Sequence, residues 1–255
     1  MYGFMFVVFF ITCLTLKHIT VSQKETHTKG LFVKKIISTE KELPNVKPLV
    51  LINSLGGVAS SKFLTNIKKV IDTNDCCDGD GLKHRDAHWF HRKNATIYGQ
   101  SRGKDVHFSK VLVIIGDPIH SIQSVYRRFR FGHINKWRRN INKPRFKYNI
   151  HLSDIWTQTI LKNNDILGIS EYLSSWSTFC NHNSDICKMV STKTLYENSL
   201  EICNFLSSHS KECDQLSHLK YMPESITKRN SRLATVPKKV IDIYTQLYNK
   251  YEDSS

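Results

Sequence analysis

The sequence predicts an α/β fold in which a mostly parallel central sheet is flanked by helices. Two units of one design carry that prediction, each an apolar run, a tight polar turn and an amphipathic helix. The first spans Pro48–Leu64 and the second Val111–Phe129. Short runs rich in Val, Ile and Leu suit strands buried on both faces, and strands alternating with helical segments imply parallel crossovers. Each turn also presents backbone N–H groups at the mouth of a helix, where they and the helix dipole attract anions. Two such turns in one sheet are placed to grip the two ends of a phosphorylated nucleotide.

The chain opens on Met1–Leu16, which is almost wholly apolar and is broken by Lys17 and His18. About 14 apolar residues are short for a bilayer span and right for a signal-peptide core. Ser22, preceded by Thr20, offers a small-residue cleavage site. Residues 1–22 therefore read as a signal peptide, with a short membrane anchor as the other reading. Both deliver the rest of the chain to the secretory pathway, in the Golgi lumen or outside the cell. Both also confine membrane contact to the N-terminal segment. Residues 23–46 are polar and Lys-rich and read as a stem, followed by one domain over 47–255.

Within that domain the expected elements run in order. Leu49–Asn53 is a strand, and Ser60–Asp72 a helix with Phe63, Ile67, Val70 and Ile71 on one side. Asn74–Gly81 is a turn-rich loop and Lys83–Phe90 an irregular, His-rich stretch. Val111–Ile115 is a central strand buried on both faces, and its helix carries Ile122, Val125, Tyr126 and Phe129. Residues 127–147 interleave basic and aromatic side chains. A helical region follows near Ser153–Phe179, then a strand at Ile186–Val190 and a helix at Glu197–Ser208. The basic stretch Lys228–Lys239 leads into a last amphipathic helix, Val240–Tyr251.

Cysteine usage fits a lumenal chain. Besides Cys13 there are Cys76, Cys77, Cys180, Cys187, Cys203 and Cys213, an even number that points to disulfides. Cys180 with Cys187, and Cys203 with Cys213, are close enough for local loops, while the full connectivity stays open. No Cys-x-x-Cys pair is present, which argues against zinc. Asn94-Ala95-Thr96 is an N-glycosylation sequon, meaningful in a lumenal protein. Lys plus Arg number 37 against 22 Asp plus Glu, a formal net charge of +15. Such a surplus favours polyanionic partners. A lumenal destination sets nucleic acid aside and leaves phosphorylated cofactors and acidic glycans.

The first turn, Ser54–Ser61, lacks the Gly-Lys-Ser/Thr of a Walker loop. Gly56 and Gly57 let a ligand approach the backbone, and Ser60 and Ser61 place two hydroxyls at a helix start; Ser60 also suits a helix cap. In the second turn Gly116-Asp117-Pro118 precedes Ser121 and Ser124, and Asp-Pro is equally a cap followed by proline at the first helical position.

Order and spacing together resemble the sulfotransferases that use 3′-phosphoadenosine 5′-phosphosulfate (PAPS). In that family the first strand–turn–helix binds the 5′-phosphosulfate, and Val58–Ser61 matches it in the two hydroxyls. The second motif, Arg-Asp/Asn-Pro with a later serine, binds the 3′-phosphate; Asp117, Pro118 and Ser124 keep its register, with Tyr126 after. Tyr196-Glu197-Asn198, following the strand at Met189, looks like the family's third run, and Ile169–Trp176 like the helix before it. The family's phosphosulfate lysine is Gly57 here, and the arginine of the second motif is Gly116. Each replacement removes a charge-assisted bond to phosphate. Lys62, Arg127, Arg128, Arg229 and Arg232 are the cations placed to compensate.

The resemblance implies a P-loop NTPase-like sheet, PAPS as co-substrate, no metal, and a base between the two nucleotide motifs. Lys83-His84 occupies that interval, which makes His84 the base, Lys83 the assisting cation, and His88 the second choice. The acceptor is a hydroxyl, on a carbohydrate, with the 127–147 stretch as its surface. A second class stays open: an inactive, secreted protein of the same fold that binds acidic glycans by charge. A nucleotide kinase is weaker, since the Walker lysine and serine are absent.

Overall fold

The computed structural model describes residues 49–56, 60–71, 73, 82–101, 103–207, 213–214 and 235–252, all within one compact unit, Lys47–Ser255. The N-terminal segment and stem, the Asn74–Gly81 loop with Cys76 and Cys77, and the basic residues Lys228–Arg232 lie outside the described residues.

Five strands form one sheet: β1 (Leu49–Ser54), β2 (Phe90–Lys93), β3 (Thr96–Ser101), β4 (Lys104–Ile115) and β5 (Cys187–Ser191). β4 is the long central strand, and Val111–Ile115 is wholly buried, as its apolar run requires. β1 and β5 pair with its second half in parallel, in registers Asn53↔Val113 and Val113↔Met189.

The sheet is nevertheless mixed, and the expected mostly parallel, P-loop NTPase-like sheet is corrected here. Along β2–β3–β4 every pairing is antiparallel, with Phe90↔Gly99 and Ile97↔Phe108 in register. The physical reason is connection length. Two residues, Asn94 and Ala95, join β2 to β3, and two more join β3 to β4. Links that short permit only antiparallel neighbours, since a parallel return needs a crossover of a dozen or so residues. Asn94 (φ 54) and Gly103 (φ 76) supply the left-handed backbone for these turns. Gly99 is required for a different reason. A Cβ there would stand 2.8 Å from Cε1 of Phe90, whose ring covers it.

Helices pack on the sheet: α1 (Ser60–Ile67), α2 (Pro118–Asn140), α3 (Leu152–Lys162), α4 (Ile169–His182), α5 (Thr192–Glu197), α6 (Ser199–Leu206) and α7 (Lys238–Glu252). α1 is shorter than predicted and buries Phe63, Leu64 and Ile67. The single helical region expected near 153–179 is two helices. Asn163 (φ 48) ends α3, Gly168 (φ 84) precedes α4, and buried Asp165 between them accepts the N–H groups of Leu167 and Ser170 and the Tyr244 hydroxyl. The helix expected at 197–208 is α6, and a short helix the sequence did not suggest, α5, precedes it with Asn198 between the two. Two local disulfides are present, Cys180–Cys187 from the end of α4 to the start of β5, and Cys203–Cys213.

Membrane contact, expected only through the N-terminal segment if it is an uncleaved anchor, finds no support among the described residues. Among the described residues no helix is long and apolar enough to cross a membrane. The longest, α2, carries Arg127, Arg138 and Arg139 within its length, whereas a span needs about 20 predominantly apolar residues. Met1–Leu16, itself short of that length, lies outside the described residues.

Candidate functional site

β1, β4 and β5 run in the same direction, so their C-terminal ends meet at one edge of the sheet. Ligands of open α/β sheets bind at that kind of edge. Four elements converge on the end of β1: its own turn, the 3₁₀ turn Leu82–His84, the middle of α2, and α4.

Asn53 and Ser54, both wholly buried at the end of β1, fix the arrangement. Asn53 Nδ2 donates to the carbonyls of Leu82 (3.0 Å) and Arg85 (2.9 Å), clamping the 3₁₀ turn against the strand. The Tyr172 hydroxyl of α4 donates in turn to Asn53 Oδ1. Burial, and next the Asp86 carboxylate, push the Tyr172 phenol well above its ordinary range, so the hydroxyl keeps its proton. Trp176 Nε1, one turn further along α4, donates to the Arg85 carbonyl at 3.0 Å. Replacing Tyr172 by Phe leaves Asn53 Oδ1 buried without this donor. We predict a loss of about 1–3 kcal/mol, read by urea denaturation; a loss under about 0.5 kcal/mol would refute the clamp's role in stability.

The clamp sets the position of His84. Its Nδ1 is 2.5 Å from the Ser54 carbonyl, an acceptor only, so Nδ1 carries the proton. In the neutral ring Nε2 is then the basic nitrogen. Gly56 (φ +85) passes directly beside the ring; a Cβ there would sit 3.4 Å from His84 Cε1 and 3.5 Å from Val125 Cγ2. Between these groups lies a cavity of about 30 Å³, lined among others by Gly56, His84, Val125, His133, Lys136 and Trp137.

Two predicted site residues come together here, and others do not. Gly56 and His84 share the cavity, and Val125, next to Ser124, lines it from α2. Ser124 itself is 5% exposed. Asp117 is a helix cap: its carboxylate accepts the His120 N–H at 3.1 Å, and Ser121 Oγ donates to its carbonyl at 2.9 Å. Ser60 and Ser61 begin α1 and Lys62 follows in it, while Lys83 sits in the 3₁₀ turn beside His84; their side chains, like that of Arg128, lie outside the described residues. Gly57, Arg229 and Arg232 lie wholly outside them. His88 is exposed and pairs with the buried Asp86 carboxylate at 3.3 Å, away from the cavity lining. Burial raises the Asp86 carboxyl above the ordinary aspartate range, and His88 and Arg85 pull it back down.

The basic–aromatic stretch is partly structural. Arg138 is buried, donates to the Pro144 carbonyl at 2.7 Å and to that of Ile166, and stacks 4.1 Å from the Phe146 ring. Sequence reasoning missed His133, Lys136 and Trp137 as cavity residues. Their signal was present: 133, 136, 137 and 140 recur at helical spacing, which sets them on one face.

Among the described residues no group of three or more His, Cys, Asp or Glu is placed to hold a metal ion. Asn94, the sequon asparagine, is exposed at the β2–β3 turn. Compared with known proteins, the chain matches no family model, no curated protein and no solved structure.

Proposed function

We propose that this protein transfers a sulfuryl group from PAPS to a hydroxyl, on a carbohydrate acceptor, within the secretory pathway. The observation that carries this reading is the fixed tautomer of His84, held with Nδ1–H on the Ser54 carbonyl beside the Gly56 turn. That arrangement suits a base at an anion-binding strand end. In the reaction the acceptor oxygen attacks sulfur and the sulfur–oxygen bond to the 5′-phosphate breaks. The acceptor's proton passes to His84 Nε2, and adenosine 3′,5′-bisphosphate leaves. The turn amides, Ser60 and Ser61 hold the donor, with Lys83 as the assisting cation. Asp117 serves the helix start instead of the donor. The exposed sequon and two disulfides suit a lumenal protein.

The test combines calorimetry with adenosine 3′,5′-bisphosphate and a sulfuryl-transfer assay on glycan acceptors. His84→Ala should retain nucleotide binding and lower turnover about 10²–10⁴-fold, the usual contribution of a positioned base. Unchanged turnover removes His84 from the role. A folded protein without saturable nucleotide binding overturns the enzyme reading in favour of a non-catalytic glycan-binding protein, which Gly57 and Gly116 would then explain.

A further inference from the structure

We infer that the cavity between the end of β1, the Leu82–His84 turn and the middle of α2 is an oxyanion site, shaped for one sulfate- or phosphate-like group. Its volume is about 30 Å³, and a water needs about 10–15 Å³. The space therefore suits a couple of waters or one compact tetrahedral anion, and excludes a whole nucleotide.

Charge and hydrogen-bond chemistry choose the anion. Lys136, His133 and His84 line the cavity, and none of its described lining residues is acidic. An independent observation comes from Trp137, which lines the same cavity, is 4% exposed, and has an indole N–H with no acceptor among the described residues. A buried donor without a partner is destabilising, and an oxygen in the cavity relieves that cost. Anionic oxygens do so better than water, because the bonds are charge-assisted and Lys136 neutralises the burial. Gly56 keeps the opposite wall bare: its φ of +85° disfavours any other residue, and a Cβ there would fill the space beside His84 and Val125.

The site therefore supplies, from α2, positive charge that Gly57 and Gly116 do not carry. The identity of the anion as the group in transfer rests on the sulfuryl-transfer reading; the site itself does not. In that role Lys136 and the Trp137 N–H stabilise charge on the sulfuryl oxygens while His84 takes the acceptor's proton.

Inorganic sulfate, inorganic phosphate and adenosine 3′,5′-bisphosphate are titrated into the full oxidised chain while the indole N–H resonances are followed by NMR. Trp137→Phe assigns the Trp137 signal. Sulfate should shift that signal saturably, with the indoles of Trp156 and Trp176 moving far less. Lys136→Met should weaken the binding about ten- to a hundred-fold, as expected for one charge-assisted bond. No shift of the Trp137 signal overturns the site, and so does a shift that Lys136→Met and His133→Gln leave unchanged. Sulfate binding at Trp137 without nucleotide binding or turnover supports the site while refuting sulfuryl transfer. Nucleotide binding and turnover that ignore Lys136→Met retain that function and overturn the site's part in transfer.

Discussion

Breaking both disulfides should cost this domain about 5 kcal/mol, at about 2.5 kcal/mol each by loop-closure entropy. The two bridges close short loops, with sequence separations of 7 and 10. Each works chiefly by limiting the unfolded chain. A sum of about 5 kcal/mol rivals the whole stability of many domains, so the reduced protein should be largely unfolded at 37 °C. Cys180–Cys187 also ties the end of α4 to the start of β5, and α4 carries Tyr172 and Trp176, which hold the site. Urea denaturation of Cys180→Ala/Cys187→Ala and Cys203→Ala/Cys213→Ala variants checks each bridge separately. A change below about 1 kcal/mol for both pairs would contradict the expected contribution. Loss of sulfate binding before global unfolding, in the first pair only, is the expected sign that this bridge supports the site.

Trp176→Ala should destabilise the protein by about 3–5 kcal/mol, the usual cost of emptying a buried Trp site. Trp176 is wholly buried, with its ring 5.3 Å from Phe90 and 5.6 Å from Phe179. It therefore joins α4 to β2, where the antiparallel part of the sheet begins. For a domain of this size the midpoint of thermal unfolding should fall by roughly 6–20 °C. Its indole N–H also donates to the Arg85 carbonyl, next to His84. Trp176→Phe separates the two roles: it keeps most of the packing and loses the bond, so a loss nearer 1–2 kcal/mol is expected. Equal losses in the Phe and Ala variants would show that the hydrogen bond, and not the packing, dominates.

Strand β1 and the second half of β4 were legible in the sequence because each is an apolar run buried on both faces, and β5 as a shorter run interrupted by the half-buried Lys188. The helices α2 and α7 were legible because their apolar residues recur at helical spacing. The hairpins of β2, β3 and the first half of β4 were not. One face of that sheet is open, and its strands carry His91 stacked on Tyr98 and Tyr98 tilted against His107 across the ladder. Polar and aromatic residues on an open face hide the run of apolar residues that marks a buried strand. The alternation of buried Ile97 and Gly99 with more exposed Tyr98 and Gln100 was the available signal. Missing it turned a mixed sheet into an expected parallel one.

At the site the sequence by itself singled out the Gly56 turn and His84, each chemically distinctive, and the structure brought the two together. It also pointed to Cys180 with Cys187 and Cys203 with Cys213 as close neighbours, and the structure supplied the pairing. Only the tertiary structure decided which nitrogen of His84 is basic, because that follows from a bond to Ser54, 30 residues away. The Tyr172–Asn53 clamp spans 119 residues and has no sequence signature. Lys136 and Trp137 likewise sit in a basic–aromatic stretch that reads as a surface. Their place at the cavity depends on how α2 is rotated against the sheet, and packing alone sets that rotation.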